Sequence, residues 1–195
     1  LAKQISKNKQ SFEVKNYLHN PADNYSISHN SITTIDEDSK GKIWIGTFGG
    51  GLNIFDPSTE KFERVKHSTD DKSGLSSDLF FTLLVDNYDN VWIGTTTNGI
   101  DKYSPTSERF LYYQPAELEN SNANSNSITS TIIDREEKLW IGTENDGIKV
   151  YKNKTPADEN LLFELNGESK NKFSLSSNSI TYIFEDDEGL VWIGT

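Results

Sequence analysis

The segment Trp-Ile-Gly-Thr occurs four times along this 195-residue chain, beginning at Trp44, Trp92, Trp140 and Trp192. The intervals between successive copies are 48, 48 and 52 residues. Self-similarity at such a period is typical of chains that stack one small structural unit several times. The period therefore restricts the fold to repeat architectures before any single residue is considered.

The similarity between the copies extends on both sides of the tryptophan. An apolar residue stands twelve positions before it, an aspartate six positions before it and a glycine two positions after it. The aspartates are Asp38, Asp86, Asp134 and Asp186, and the glycines are Gly46, Gly94, Gly142 and Gly194. The repeated unit is thus much longer than the four identical residues.

Each unit has the residue pattern of a small antiparallel sheet. Asp38-Ser39-Lys40-Gly41 has the aspartate and the glycine that a type I turn prefers at its first and fourth positions. The flanking segments, Ser31 to Ile35 and Lys42 to Thr47, are rich in β-branched and aromatic residues. Two further short strands follow, at Gly51 to Phe55 and Lys61 to Val65. Four strands in about 48 residues predict the blades of an all-β propeller.

The tryptophan strand is predicted to be buried on both faces. Trp44 and Gly46 point to one face, and Ile43 and Ile45 point to the other, as in a blade that lies between two neighbours. The glycine two residues after each tryptophan indicates a close approach by a neighbouring backbone or ring. We therefore interpret the tryptophans as packing residues. The alternative is a row of indoles that stack on sugar rings.

The repeat resembles the two-component regulator propeller repeat in a set of positions: Asn30-Ser31-Ile32, Ile35, Asp38, Gly41, Ile43 to Thr47, Gly50-Gly51-Leu52 and Phe55-Asp56-Pro57. Repeats of that family build the periplasmic sensor region of hybrid two-component systems, especially those with which gut bacteria detect products of polysaccharide breakdown. The resemblance implies a non-catalytic periplasmic sensor that signals to a histidine kinase. It also implies an oligosaccharide ligand.

Three positions depart from the repeat. Asp89 and Glu137 replace the turn glycine, and Asn153 stands where the other copies have Pro57 and Pro105. All three fall in turns. We expect them to alter the local geometry of those turns without changing the architecture.

The copies divide the chain into five parts. Residues 1–27 are predicted to hold the last strand of a preceding blade and a connection, and residues 28–75, 76–123 and 124–175 to form blades. Residues 176–195 are predicted to form the first two strands of a following blade. Propellers typically close with four to eight blades, and repeats bury their apolar faces only against neighbours. We therefore expect a longer polypeptide, or another copy of the chain, to complete the ring.

Composition excludes several classes of partner and cofactor. The net charge is −11 and there is no Lys or Arg cluster, which argues against nucleic-acid binding. The longest apolar runs are far shorter than a membrane span, so we expect no membrane contact and an export signal outside this segment. The absence of cysteine excludes disulfides and thiolate-bound metals.

The sequence shows no pattern typical of catalysis. Its three histidines lack metal-ligand spacing, and Glu185-Asp186-Asp187-Glu188 lacks the spaced ligands of an EF-hand, so we predict no metal and no cofactor. The first strands of the blades, which should line the propeller axis, are predicted at residues 31–35, 79–83 and 127–131 and carry neither acid nor base. We therefore predict no catalytic residue. A polysaccharide lyase or hydrolase and a protein-interaction scaffold remain as alternatives.

Candidate ligand residues lie where the blade connections and the second turns are expected to emerge on one face. His29 stands where the other copies have serine, and Phe48 where they have threonine and glutamate. Asn98, Asn145 and Asp146 could offer amide or carboxylate groups to sugar hydroxyls at the same level. The alternative is that all five are ordinary solvated turn residues.

We expect the isolated chain to self-associate, because an incomplete ring leaves apolar blade faces open to water. Light scattering across a concentration series measures the solution mass directly. A stable dimer would indicate that two chains complete one ring. A species that stays monomeric and unfolds cooperatively over a wide range of concentration would contradict the incomplete-ring prediction.

Overall fold

The computed structural model describes residues 2–4, 12–71, 73–113, 127–167 and 174–195. Its first two strands, β1 (Ala2–Gln4) and β2 (Phe12–Val14), form an antiparallel pair. The predicted boundary between residues 123 and 124 lies outside the described residues.

Three four-stranded antiparallel sheets follow, each with its strands paired in sequence order. The first blade contains β3 (Ile32–Glu37), β4 (Ile43–Thr47), β5 (Gly51–Asp56) and β6 (Lys61–Val65). The second contains β7 (Phe80–Val85), β8 (Val91–Thr95), β9 (Ile100–Ser104) and β10 (Arg109–Tyr113). The third contains β11 (Ile128–Ile133), β12 (Leu139–Thr143), β13 (Ile148–Tyr151) and β14 (Leu161–Leu165). The predicted all-β architecture of four-stranded blades is confirmed.

Short segments complete the described chain. Two single-turn 3-10 helices, Lys152–Lys154 and Asp158–Asn160, lie between β13 and β14. After the third blade, β15 (Tyr182–Glu185) pairs antiparallel with β16 (Val191–Gly194) to form the terminal hairpin. The first strands β3, β7, β11 and β15 contact one another in succession, so the blades stack side by side.

An aspartate carboxylate organises the turn between the first two strands of each blade. In the second blade, Asp86 Oδ1 accepts the backbone N–H groups of Tyr88 and Asn90, at 2.9 and 3.0 Å. Its Oδ2 accepts the indole N–H of Trp92 at 3.1 Å. The other aspartates accept the indole N–H of Trp44 at 3.0 Å, Trp140 at 2.8 Å and Trp192 at 2.6 Å. One carboxylate therefore fixes both the turn and the position of the ring.

The fourth residue of this turn has a left-handed backbone whether or not it is glycine. Its φ is 77° at Gly41 and 86° at Gly189, and 60° at Asp89 and 64° at Glu137. In all four turns its N–H donates to the aspartate carbonyl. The prediction that Asp89 and Glu137 alter the local geometry is therefore wrong. The bonds to the aspartate carboxylate hold the turn against a strain of about 1–2 kcal/mol at a non-glycine residue.

Asn153 does change the local geometry. Its φ is 58°, which proline cannot adopt because the ring fixes φ near −65°. The segment after β13 forms a 3-10 turn here, with a register shift between Val150 and Tyr151 in the pairing with β14. The four-stranded sheet persists, as predicted.

Three hydrophobic cores of the described residues lie between neighbouring blades or between the third blade and the terminal hairpin. Trp44 shares one core with Phe80, Val91 and Ile93 of the second blade. Trp92 shares the next with Ile128, Leu139 and Ile141 of the third blade, and Trp140 packs against the core that contains Ile180 and Ile183 of the terminal hairpin. The packing role is confirmed for these three tryptophans. Trp192, on the outermost described strand, is 61% exposed.

The glycines two residues after Trp44, Trp92 and Trp140 allow the next blade or the terminal hairpin to approach closely. A Cβ on Gly94 would stand 2.4 Å from Cγ2 of Ile128, and one on Gly46 would stand 2.5 Å from the Phe80 ring. A Cβ on Gly142 would stand 2.7 Å from Cγ2 of Ile180. These partners are the apolar residues twelve positions before the next tryptophan, and the predicted close approach is confirmed.

The substitution Trp92→Ala should lower the free energy of unfolding by about 3–5 kcal/mol, because a fully buried indole leaves a large cavity. The matched control is Trp192→Ala, which removes the same side chain from the same motif at an exposed position. We expect it to cost about 1 kcal/mol or less. Denaturant titration measures both changes. Equal losses for the two variants, or a loss of sugar affinity with unchanged stability at Trp92, would contradict the packing role.

Candidate functional site

A groove of about 580 Å³ runs along the first strands of three blades and the terminal hairpin; we call it the inner groove. Its lining consists mainly of hydroxyl and aliphatic residues with two aromatic rings and one carboxylate. The lining residues are Thr33, Thr34, Ile35, Asp36, Phe81, Thr82, Leu83, Leu84, Thr129, Ser130, Thr131, Ile132, Thr181, Tyr182 and Ile183.

Some of these hydroxyls hold neighbouring blades together. Thr82 Oγ1 lies 3.0 Å from Thr131 Oγ1 and accepts the backbone N–H of Thr131 at 3.2 Å. In the next interface Ser130 Oγ, at the equivalent position, accepts the N–H of Ile183 at 3.0 Å. These hydroxyls therefore have a structural role, because they accept hydrogen bonds from backbone N–H groups of the next blade.

The inner groove carries one acid that the sequence analysis placed outside the axial strands. β3 runs two residues beyond the predicted end at Ile35, so that Asp36 belongs to it and lines the groove. The expectation that these strands carry no acid is therefore wrong for the first blade. Asp36 Oδ2 accepts the N–H of Val85 in the second blade at 2.7 Å, and Oδ1 accepts the N–H of Glu37 at 2.8 Å. Both oxygens thus bind backbone groups.

Two aromatic rings meet where the β4–β5 turn and the start of β7 come together. We call this end of the inner groove, which Phe81 lines, its upper end. Phe48 belongs to the turn and Phe81 to β7, and their ring centroids lie 6.5 Å apart at an interplanar angle of 40°. Phe48 is 51% exposed and Phe81 40% exposed. Phe48 is among the ligand residues predicted from the sequence, whereas Phe81 is not. The sequence does distinguish Phe81, because the other copies have threonine at this position.

Like Phe48, the other predicted ligand residues lie outside the groove lining. His29 is exposed, and its Nδ1 accepts the N–H of Ser31 at 3.1 Å. Asn98 Nδ2 donates to the carbonyl of Ser76 at 2.7 Å, so this amide ties the β8–β9 turn to the connection that precedes β7. Asn145 and Asp146 are exposed in the β12–β13 turn. Their role in ligand binding stays a prediction.

Two histidines have a structural role that follows the repeat. His19 and His67 are 48 residues apart, and each Nδ1 donates to a carbonyl eight residues later, Ile27 at 2.8 Å and Leu75 at 2.7 Å. Both close the connection that leads into the next blade. Within the part of the chain that the structure describes, no cluster of three or more His, Cys, Asp or Glu side chains could hold a metal ion.

In the first two blades a buried polar contact ties the preceding connection to the third strand. In the first blade Asn53 Oδ1 accepts the N–H of Ser28 at 2.8 Å, and Asn53 Nδ2 donates to Ser28 Oγ at 2.7 Å. In the second blade Asp101 takes the place of the asparagine, and its Oδ2 accepts both the N–H and the hydroxyl of Ser76 at 2.9 Å. Asp101 is 1% exposed, and its Oδ1 has no hydrogen-bond partner among the described residues.

Burial raises the pKa of Asp101 to about 6, against the lowering effect of its bonds to Ser76 and of His67 nearby. At Asp86 burial also raises the pKa, but the hydrogen bonds from Asn90, Trp92 and the turn outweigh it and the net pKa lies below the ordinary range. Two aspartates of one blade therefore titrate in different ranges. Asp101 is buried more deeply than Asp86, and fewer donors reach its carboxylate.

Fold and groove together define a segment of a β-propeller whose blades stack through buried tryptophans and leave a hydroxyl-lined groove at their inner edges. The family model described as two component regulator propeller matches residues 26–49, 74–97, 122–145 and 174–195. Each match spans a connection and the first two strands of a blade or of the terminal hairpin. The chain therefore contains four matches to the two component regulator propeller repeat.

Two solved structures are similar to this chain over most of its length. The chain is 32% identical to the extracellular domain of the hybrid two component system BT4673 from B. thetaiotaomicron, with a TM-score of 0.66, over 86% of this chain and 20% of that one. It is 25% identical to the extracellular domain of the hybrid two component system BT3049 from the same organism, with a TM-score of 0.54, over 95% of this chain and 28% of that one. The chain thus spans between a fifth and three tenths of these domains.

A designed protein shares the fold alone. The computationally designed Ika4 protein is 18% identical, with a TM-score of 0.54, over 85% of this chain and 92% of the designed one. Among curated proteins, none matches this chain. No helix in the described part of the chain is long and apolar enough to cross a membrane.

We expect stability to depend on pH through Asp101. Between about pH 4 and the folded pKa of about 6, the folded state keeps a proton on Asp101 that the unfolded chain has released. The free energy of unfolding should therefore fall as pH rises through this window, by up to about 3 kcal/mol, and level off above it. Denaturant titrations at several pH values measure this slope.

The control is Asp101→Asn, since Asn53 makes the equivalent contact in the first blade. This variant should fold and should lose most of the slope between about pH 4 and 6. An unchanged slope in Asp101→Asn would show that another group carries the pH dependence.

Proposed function

We propose that the chain is a non-catalytic segment of the periplasmic sensor region of a hybrid two-component signalling protein. In this proposal the sensor recognises an oligosaccharide derived from a polysaccharide and signals to a histidine kinase outside this segment. The observation that carries the proposal is the 32% identity to an extracellular domain of such a system over 86% of the chain. The four repeat matches support it.

A sensor of this kind acts by a shift between two states. The ligand changes the signal only through its different affinity for those states. This segment contributes stacked blades, an inner groove and the face that carries the predicted ligand residues. The remaining blades of the ectodomain and the kinase belong to the rest of the parent protein.

The chemistry of the groove favours a sensor over the alternative of a polysaccharide hydrolase or lyase. Most glycoside hydrolases need two carboxyl groups on either side of the scissile bond. Among the described lining residues the inner groove offers one, Asp36, whose two oxygens already accept backbone N–H groups. That pairing leaves no carboxylate free to act as acid, base or nucleophile there.

One observation favours a second candidate, the protein-interaction scaffold. Large apolar side chains are exposed on the outermost strands of two adjacent blades, at Leu111 and Tyr112 of β10 and at Leu162 and Phe163 of β14. Exposed apolar side chains of this kind occur at protein contact surfaces. A scaffold role would use the outer strands instead of the inner groove.

The test uses the intact parent protein in membrane vesicles together with this chain alone. Oligosaccharide digests of plant and microbial polysaccharides should change the rate of kinase autophosphorylation and should bind to the parent ectodomain. The chain itself should release no reducing ends from the same polysaccharides. Release of reducing ends or unsaturated sugars would support the enzyme, and a parent that responds to a protein partner but to no digest would support the scaffold.

A further inference from the structure

We propose that Phe48 and Phe81 form the stacking platform of a binding site for a neutral oligosaccharide at the upper end of the inner groove. The inference rests on the proposed sensor function and adds the residues and the charge class of the ligand. The two rings belong to different blades, lie 6.5 Å apart between centroids and are both about half exposed.

Neither ring is required for the fold. At the position of Phe48 the other two blades have Thr96 and Glu144, and at the position of Phe81 the other copies have Thr33, Thr129 and Thr181. The cores between blades are built from other residues, and neither phenylalanine belongs to one of them. A pair of exposed phenylalanines at two positions that fold with polar residues therefore points to a use other than packing.

The surroundings of the pair match the two kinds of surface that a sugar ring presents. The apolar face of a pyranose packs on an aromatic ring, and its hydroxyls need hydrogen-bonding partners around it. Seven serine and threonine residues line the same groove. Tyr182 adds an exposed phenol to the same groove. Aromatic faces and hydroxyls therefore occur together here.

The charge of the groove selects against acidic sugars. The described lining residues include no Lys, Arg or His, and the one charged group is Asp36, which is an acid. An anion that enters a partly enclosed site without a cation loses hydration that nothing replaces. The net charge of −11 adds long-range repulsion. Uronic acid and sulfated oligosaccharides should therefore bind more weakly than neutral ones of the same length.

The experiment measures sugar binding to the 195-residue chain by saturation-transfer NMR and calorimetry. The probes are neutral hexasaccharides of glucose, mannose, xylose and galactose, with hexagalacturonate as the anionic comparison. The variants are Phe48→Thr and Phe81→Thr, which place on each blade the residue that another copy already has. The control variant is Tyr88→Thr, which removes an exposed ring from a turn of the second blade outside the inner groove.

We expect at least one neutral hexasaccharide to bind and hexagalacturonate to bind more weakly. Each phenylalanine variant should weaken the neutral sugar about fivefold to tenfold, while Tyr88→Thr should leave its affinity unchanged. Thermal melts of all three variants confirm that they are folded.

The possible failures are distinguishable. Neutral binding that survives both phenylalanine substitutions, or hexagalacturonate binding as tightly as the neutral sugars, would overturn the inference and leave the sensor proposal standing. If this chain bound none of the hexasaccharides, the inference would be wrong. If the intact ectodomain also failed to bind any digest, the oligosaccharide sensor proposal would fall with it.

Discussion

The hydrogen bond from each tryptophan indole to the aspartate six residues earlier is the interaction on which the rest of the structure depends. The same carboxylate binds two backbone N–H groups of the turn, so turn, strand and ring are fixed as one unit. The ring then packs into the next blade, and the glycine two residues later lets that blade approach closely. Each blade thus fixes the position of the next blade, and the same contacts recur in each repeat.

The stacking of blades also determines what the inner groove can contain. The first strands turn some of their N–H groups toward the preceding blade, and side chains such as Thr82, Ser130 and Asp36 accept them. Hydroxyls in the groove are therefore explained first by structure and only second by ligand binding. The side chains that this structural requirement does not explain are therefore the stronger candidates for ligand binding.

Much of the fold could be predicted because the period, the turn residues and the alternation of apolar residues are local signals. The fourth strand of the first blade, Lys61–Val65, lies where the pattern placed it. The Asp–Trp bond was not predicted, because the pattern shows a shared position but not which atoms meet. The extension of β3 to Glu37 was also missed, since acidic residues are rarely found in strands. Phe81 was missed because its significance depends on Phe48, from another blade.

The repeat itself limits where specificity can arise. Positions that have the same residue in every copy, such as the tryptophan, the aspartate six residues before it and the glycine two residues after it, cannot let a ligand distinguish one blade from the next. A site with a defined orientation must use positions at which the copies differ. In the inner groove these positions include Phe81, Tyr182 and Asp36, and Phe48 lies at its upper end. Phe48 and Phe81 lie on two blades, so a ligand held by both would also link the blades, and its affinity would depend on their relative position.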